Sequence, residues 1–318
     1  MPLLSILWFT FVACFYNQIH TTIMKLKIHS ILFLASLLFV SCNQENMSEE
    51  PLSEEAMFEE LTETNNLGRY KGVFTTYGSE FRGTIEVIFP PEGATATVAY
   101  EEPYAVLTLH TGEQYTAFTE NTAEVSIGAV ENLRFTSNDF SFDFSVEANG
   151  TDVSIDDVYF MERRSGIVAA KSTTRDPAMT LTGTYTCADD GDPSTTEDCM
   201  SHPFLENGAV QTFNILRIID TDDADVIIAQ MAFGSTVETS IGEQDNCTTI
   251  TVGINYQLCV VSGSVNFNDR PVDWTGTHLF NDAGGSCSDM EGTWTWPYNG
   301  GTISGTFVAD SDEACNVL

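Results

Sequence analysis

Six cysteines dominate the chemistry that can be read from the second half of the chain: Cys187, Cys199, Cys247, Cys259, Cys287 and Cys315. No Cys-x-x-Cys pair of the kind zinc prefers occurs among them. An even set without such pairs points to disulfides. The spacing is 12 residues from Cys187 to Cys199, 12 from Cys247 to Cys259 and 28 from Cys287 to Cys315. Sequential pairing is therefore the simplest connectivity. Closing a loop of about a dozen residues stabilises a chain by ~3 kcal/mol through its unfolded state.

Carboxylates form the second group. Phe140-Ser-Phe-Asp-Phe-Ser-Val-Glu-Ala148 alternates apolar and polar residues and runs into Asn149-Gly150, a strong hairpin signal because both turn residues accept positive φ. A two-residue turn there puts Glu147 opposite Asp152 and Asp143 opposite Asp156. Like charges facing one another destabilise a sheet, and Ca²⁺, which takes oxygen ligands, would relieve them. A second Ca²⁺ candidate is the loop between Cys187 and Cys199, with Asp189, Asp190 and Asp192. It lacks the order of an EF-hand. For both places the alternative is an ordinary solvated acidic surface. Trp274, Trp294, Trp296 and Tyr298 are candidates for a platform stacking on sugar rings, with a core role as the competing reading. His110, His202 and His278 accompany no nucleophile elbow, zinc-protease motif or phosphate loop. No catalytic residue is assigned.

The N-terminus says where these groups work. Lys25 and Lys27 precede an apolar run from Ile31 to Val40, too short for a membrane span and suited to a signal peptide. Ser41 and Cys42 follow. Residues 24–42 resemble the lipobox of bacterial lipoproteins, although Phe39 stands where the usual pattern has Leu. The resemblance implies cleavage before Cys42, acylation of Cys42 and attachment to a membrane through the lipid. Residues 1–23 hold a separate apolar run with no basic residue before it and are read as an upstream extension of the true start at Met24. Residues 42–66 are acidic and polar, and read as a tether. They resemble the segment after the lipidated cysteine in lipoproteins of Bacteroidota-type bacteria. That implies an outer-membrane location, on the periplasmic or the cell-surface side.

The elements that position the candidates are strands. The net charge is −34 with 46 acidic against 12 basic residues, which disfavours nucleic-acid binding. A hydrophobic fraction of 42% and an aromatic fraction of 11% are too high for an acidic disordered chain. Alternation recurs over 68–76, 81–89, 94–100, 104–110, 131–136, 166–171, 179–187, 210–219, 225–233, 248–253, 258–267 and 273–280. A second hairpin turns at Asn299-Gly300, placing Trp296 opposite Ile303 and Trp294 opposite Gly305.

The chain is expected to be all-β, with two antiparallel β-sandwich or barrel-like domains, 67–171 and 181–318. A linker, 172–180, separates them, and the second is stapled by disulfides. Leu67-Gly-Arg-Tyr70 and Leu181-Thr-Gly-Thr-Tyr185 open the halves alike, as a divergent duplication would. Arg163, Arg164, Lys171 and Arg175 cluster near the junction, where they suit either an acidic partner or the protein's own carboxylates.

Function is expected to be ligand or partner binding outside the cytoplasm, with a glycan or protein as ligand. A hydrolase using two carboxylates and a purely structural surface protein are the alternatives. Replacing Cys42 by Ala is expected to release the protein from membranes or leave it unprocessed. Unchanged membrane fractionation, with no lipid mass on Cys42 in the parent, would remove the lipoprotein reading.

Overall fold

The computed structural model describes residues 66–90, 102–120, 128–172, 178–188, 199, 210–219, 225–267, 269–281, 287–298, 300–311 and 315. The leader, Cys42, the tether up to residue 65, the strand candidate 94–100, Arg175, His202 and the loop carboxylates Asp189, Asp190 and Asp192 lie outside these residues.

Among the described residues, sixteen strands form two closed antiparallel barrels of eight strands each. The first holds β1 (Gly68–Thr76), β2 (Arg82–Phe89), β3 (Tyr104–Leu109), β4 (Gln114–Thr119), β5 (Val130–Thr136), β6 (Phe140–Val146), β7 (Ser154–Phe160) and β8 (Arg163–Lys171). The second holds β9 (Met179–Cys187), β10 (Val210–Ile219), β11 (Asp225–Phe233), β12 (Thr236–Val252), β13 (Ile254–Phe267), β14 (Arg270–Asn281), β15 (Ser288–Tyr298) and β16 (Gly301–Asp310). Every strand pairs with its chain neighbour, and the last strand of each barrel returns to the first.

Alternation builds these walls because successive side chains in a strand point to opposite faces. In β6, Phe140, Phe142, Phe144 and Val146 are buried while Ser141, Asp143 and Ser145 are half-exposed on the outside. An eight-stranded barrel has an interior that side chains can just fill. Here aromatic rings fill it. Tyr70, Phe74, Phe89, Phe135, Phe140, Phe142, Phe144 and Phe160 are buried in the first barrel. Most of their contacts are edge-to-face, as between Tyr70 and Phe144 at 5.1 Å, the arrangement that aromatic quadrupoles favour. Tyr185, Phe213, Phe233, Phe267, Trp274, Trp294, Trp296 and Phe307 do the same in the second.

Both barrels close through the same seam. Gly72 of β1 faces Ala169 of β8, and Gly183 of β9 faces Ala309 of β16. A Cβ built on Gly72 would lie 2.3 Å from the Val168 carbonyl oxygen; on Gly183 it would lie 1.9 Å from that of Val308. Val-Ala supplies the last strand each time. This register aligns Tyr70-x-Gly72-x-Phe74 with Leu181-x-Gly183-x-Tyr185, so Tyr185 corresponds to Phe74 and not to Tyr70. The likeness of the halves therefore runs deeper than the opening residues, and in a different register.

The Asn299-Gly300 hairpin has the expected pairing, with Trp296 opposite Ile303, Trp294 opposite Gly305 and Tyr298 opposite Gly301. The Asn149-Gly150 hairpin differs. Gly150 N–H donates to the Glu147 carbonyl and Glu147 N–H to the Thr151 carbonyl, giving a three-residue loop with Gly150 at φ 85°. Asp152, at φ 53°, takes up the extra residue as a bulge. Glu147 therefore does not face Asp152, whereas Asp143 does face Asp156.

All three disulfides join the sequential pairs: Cys187–Cys199, Cys247–Cys259 and Cys287–Cys315, at Cα separations of 5.8, 4.0 and 4.9 Å. Cys247–Cys259 staples a bulge, because the β12–β13 register shifts between Asp245 and Thr248.

Two strands exceed the expectation. Only Ala117 of β4 is buried, so it carries no apolar stripe. β12 begins at Thr236 rather than 248, and its inward residues beside the core are Ser240, Gly242 and Gln244, while outward Ile241 is 73% exposed. The barrels meet through polar groups as well as apolar ones. Asn214 Nδ2 donates to the Phe74 carbonyl at 3.0 Å and to Gln230 Oε1 at 2.9 Å, and Thr212 N–H donates to Ser79 Oγ at 3.1 Å. Burial on both faces turns residues 212–216 of β10 into a continuous buried run.

A cross-strand row in the second barrel fixes the wall's local shape. Trp274 lies over Gly263, where a Cβ would come within 2.3 Å of its ring, and over Gly242, where the gap would be 2.8 Å. Gly263→Ala is expected to lower stability by about 1–3 kcal/mol by overpacking against an indole that has nowhere to go. Chemical denaturation of parent and variant measures it, and an unchanged midpoint would show that the ring does not occupy the glycine's space.

Candidate functional site

Of the two readings open for the tryptophans, stacking platform or core, the structure has the core role. Trp274, Trp294 and Trp296 are each at most 2% exposed. Their alternation in β14 and β15 points them inward, and two of the indole N–H groups are bonded inside the fold. Trp274 Nε1 donates to Ser240 Oγ at 3.2 Å and Trp294 Nε1 to the Thr186 carbonyl at 3.2 Å. Tyr298 packs half-buried against the same core, its ring 5.0 Å from Trp296. A solvent-facing platform is thus ruled out for the three indoles.

The carboxylate face of the first barrel is also built differently from the expectation. Arg134 of β5 faces Asp143, pairs with its Oδ1 at 3.0 Å and reaches Ser141 Oγ at 2.9 Å. An Arg residue thus supplies the positive charge that a cation would have brought. Asp156 accepts from Ser154 Oγ at 2.7 Å. Among the described residues, no three His, Cys, Asp or Glu side chains come together as a metal site. Arg163 pairs with Glu80, and Arg164 lies over the Tyr77 ring at 5.7 Å, so these two cations are engaged within the protein.

A groove of about 470 Å³ lies on the outer wall of the second barrel, across β12 to β15. Sequence reasoning did not single it out. Two rows of outward residues line it. One runs Glu243, Ser262, Thr275, Thr293, and the other Ile241, Ser264, Asp273, Thr295. Between them lies the inward row of Gly242, Gly263 and Trp274, so the floor is backbone with an indole beneath it. The first row continues onto Thr306 and Thr186, whose hydroxyls lie 3.3 Å apart. Neighbouring strands are ~4.8 Å apart, so the rows offer one polar group at about that interval. Thr275 donates to the Val261 carbonyl at 3.2 Å. Among the described residues, Ser262, Ser264, Thr293 and Thr295 make no side-chain hydrogen bond. Their hydroxyls can both donate and accept, and the two carboxylates are strong acceptors. This set suits a ligand rich in hydroxyl groups, and the carboxylates disfavour an anionic one.

Glu243 and Asp273 lie two strands and two residues apart, about 12 Å between Cα atoms from strand spacing and rise.

One constellation looks catalytic in outline. His278 Nε2 is 2.7 Å from Ser288 Oγ, and its Nδ1 is 2.5 Å from Gln244 Oε1. The glutamine oxygen only accepts, so Nδ1 carries the proton and Nε2 accepts from the serine. Both residues are buried, and the chain around Ser311 and Cys315 bonds to Ser288 and Asp289 beside them. Burial, with Arg217 as a second cause, holds the His278 pKa down to about 3. Such an imidazole is a weak base near neutrality, and Ser288 is only 1% exposed. The chain of hydrogen bonds serves to satisfy polar groups inside the barrel.

No protein family's sequence profile matches the chain, and no curated protein matches it. Among solved structures, it is similar to a protein of unknown function of the DUF3598 family from Nostoc punctiforme. The identity is 10%, the match covers 77% of this chain and 96% of that one, and the TM-score is 0.22.

The pH dependence of stability follows from His278. Its folded pKa lies below the ~6.5 of an unfolded histidine, so the unfolded chain binds the proton more readily between these values. The stabilisation is complete above pH ~6.5 and is lost at up to about 1.4 kcal/mol per unit as pH falls toward 3. Denaturation of the parent and of His278→Gln at matched pH isolates this group from the many carboxylates. The parent is expected to lose its advantage below pH ~6, and parallel profiles would reject the assignment.

Proposed function

We propose that the chain is an exported, lipid-anchored lipoprotein that binds a neutral polyhydroxylated ligand, a glycan, in the outer groove of its second barrel. The observation carrying the ligand class is the pair of hydroxyl rows, one headed by Glu243 and the other containing Asp273, on an open outer wall. Aromatic rings occupy both barrel interiors, which leaves the outer face as the place to bind. Export is supported by the lipobox-like residues 24–42 and by three disulfides, which persist in oxidising compartments. Acylated Cys42 would hold the protein at the outer membrane, and the acidic residues up to 66 would let the barrels stand off the surface.

Calorimetric titration with neutral oligosaccharides tests the groove. Binding is expected, and Asp273→Asn and Thr293→Val should each weaken it about tenfold, the effect of one hydrogen bond to a charged or well-placed partner. No binding by any neutral oligosaccharide, or binding by both variants equal to the parent's, would overturn the reading.

A further inference from the structure

The β12–β13 hairpin extends past the barrel. β12 pairs with β11 only as far as Glu243 opposite Val226, while its pairing with β13 continues to Val252 opposite Ile254. From Asp245 to Val252 the other edge of β12 pairs with no strand among the described residues. Natural proteins blunt such edges with lysine, proline, inward charges or bulges. Here one bulge, at Asn246 and Cys247, is stapled by the disulfide, and Thr248-Thr-Ile-Thr-Val252 beyond it carries none of these devices.

Charge singles out the occupant. In a chain of net charge −34, residues 246–268 contain no charged side chain at all. A foreign strand would not need so neutral a site, whereas a second copy would, because every other approach brings like charges together. An antiparallel edge is also self-complementary: a twofold axis near Ile250 sets Thr248–Val252 against itself, the isologous arrangement of a C2 dimer. We propose that two copies associate through this edge, forming a sheet continuous across the dimer. The interface is small, so the association is weak, and salt strengthens it by screening the acidic bodies. It is independent of the glycan reading, since it uses the arm and not the groove.

Sedimentation velocity of the full chain over a concentration series, at low and high salt, provides the test. A dimer fraction that rises with concentration and with salt is expected. Thr249→Lys/Thr251→Lys places charges on two exposed positions of the edge strand and should abolish the dimer. The charge-matched control Thr111→Lys/Gln114→Lys, at exposed positions of the first barrel, should retain it. Both variants lower the net negative charge, so a general charge effect would favour association in each. Amide exchange at Thr248–Val252 should slow with concentration in the parent even if a variant folds poorly. A parent monomeric at every concentration and salt, or an edge variant that still dimerises, overturns the proposal.

Discussion

Each barrel closes by pairing its last strand with its first, and in both seams a glycine of the first strand lies against an alanine of the last. Gly72–Ala169 and Gly183–Ala309 bring backbones to a distance that a side chain on the glycine would prevent. Closure is what removes sheet edges, and an open eight-stranded sheet of this composition would expose rows of unpaired peptide groups. The glycines cost conformational entropy in mid-strand. Their compensation is a complete ring of backbone hydrogen bonds around an aromatic interior. The seam recurs at matching positions with the same Val-Ala partner, which makes duplication of one barrel the economical account of the chain.

Because rings occupy both interiors, the charge must sit outside, and the fold distributes it. Asp156 and Asp157 are consecutive and both exposed because a bulge in β7 turns two residues in a row outward. Arg134 then bridges toward that side, with its guanidinium on Asp143 and on the Asp157 carbonyl. The few cations are thus spent on the protein's own acids: Arg69 with Glu86, Arg134 with Asp143 and Arg163 with Glu80. Each pair is partly exposed and worth little alone. Arg134 alone places positive charge where facing strands oppose carboxylates, Asp143 against Asp156.

The strands were legible wherever one face is apolar. Phe140 to Val146, Trp294 and Trp296 announce inward faces, and Asn299-Gly300 fixes its own register. The cysteine spacing gave the disulfides. Three things were not legible, each for a physical reason. Glycine tolerates more than one tight turn, so Asn149-Gly150 did not reveal its three-residue loop. Aromatic alternation cannot distinguish a solvent platform from a core stripe, and burial decided for the core. The groove left no mark because threonine and serine on an outer strand face are common in any β protein. Only cross-strand register, which ties residues from four separate strands, brings Glu243, Ser262, Thr275 and Thr293 into a row.

Sequence patterns and fold agree nearly everywhere except along β12. There the inward residues are Ser240, Gly242 and Gln244, an isoleucine faces solvent, and the strand outruns its neighbour. The inner polarity has structural causes: Ser240 accepts the Trp274 indole N–H, Gly242 makes room for the ring, and Gln244 orients His278. The outer features have none. Ile241 contributes nothing to the core, and β12 beyond Gln244 pairs with β13 on one side and with no strand on the other among the described residues. Natural chains depart from local consistency mainly where function requires it. The groove and the uncovered edge thus share β12, the strand whose sequence pattern agrees least with the wall it builds.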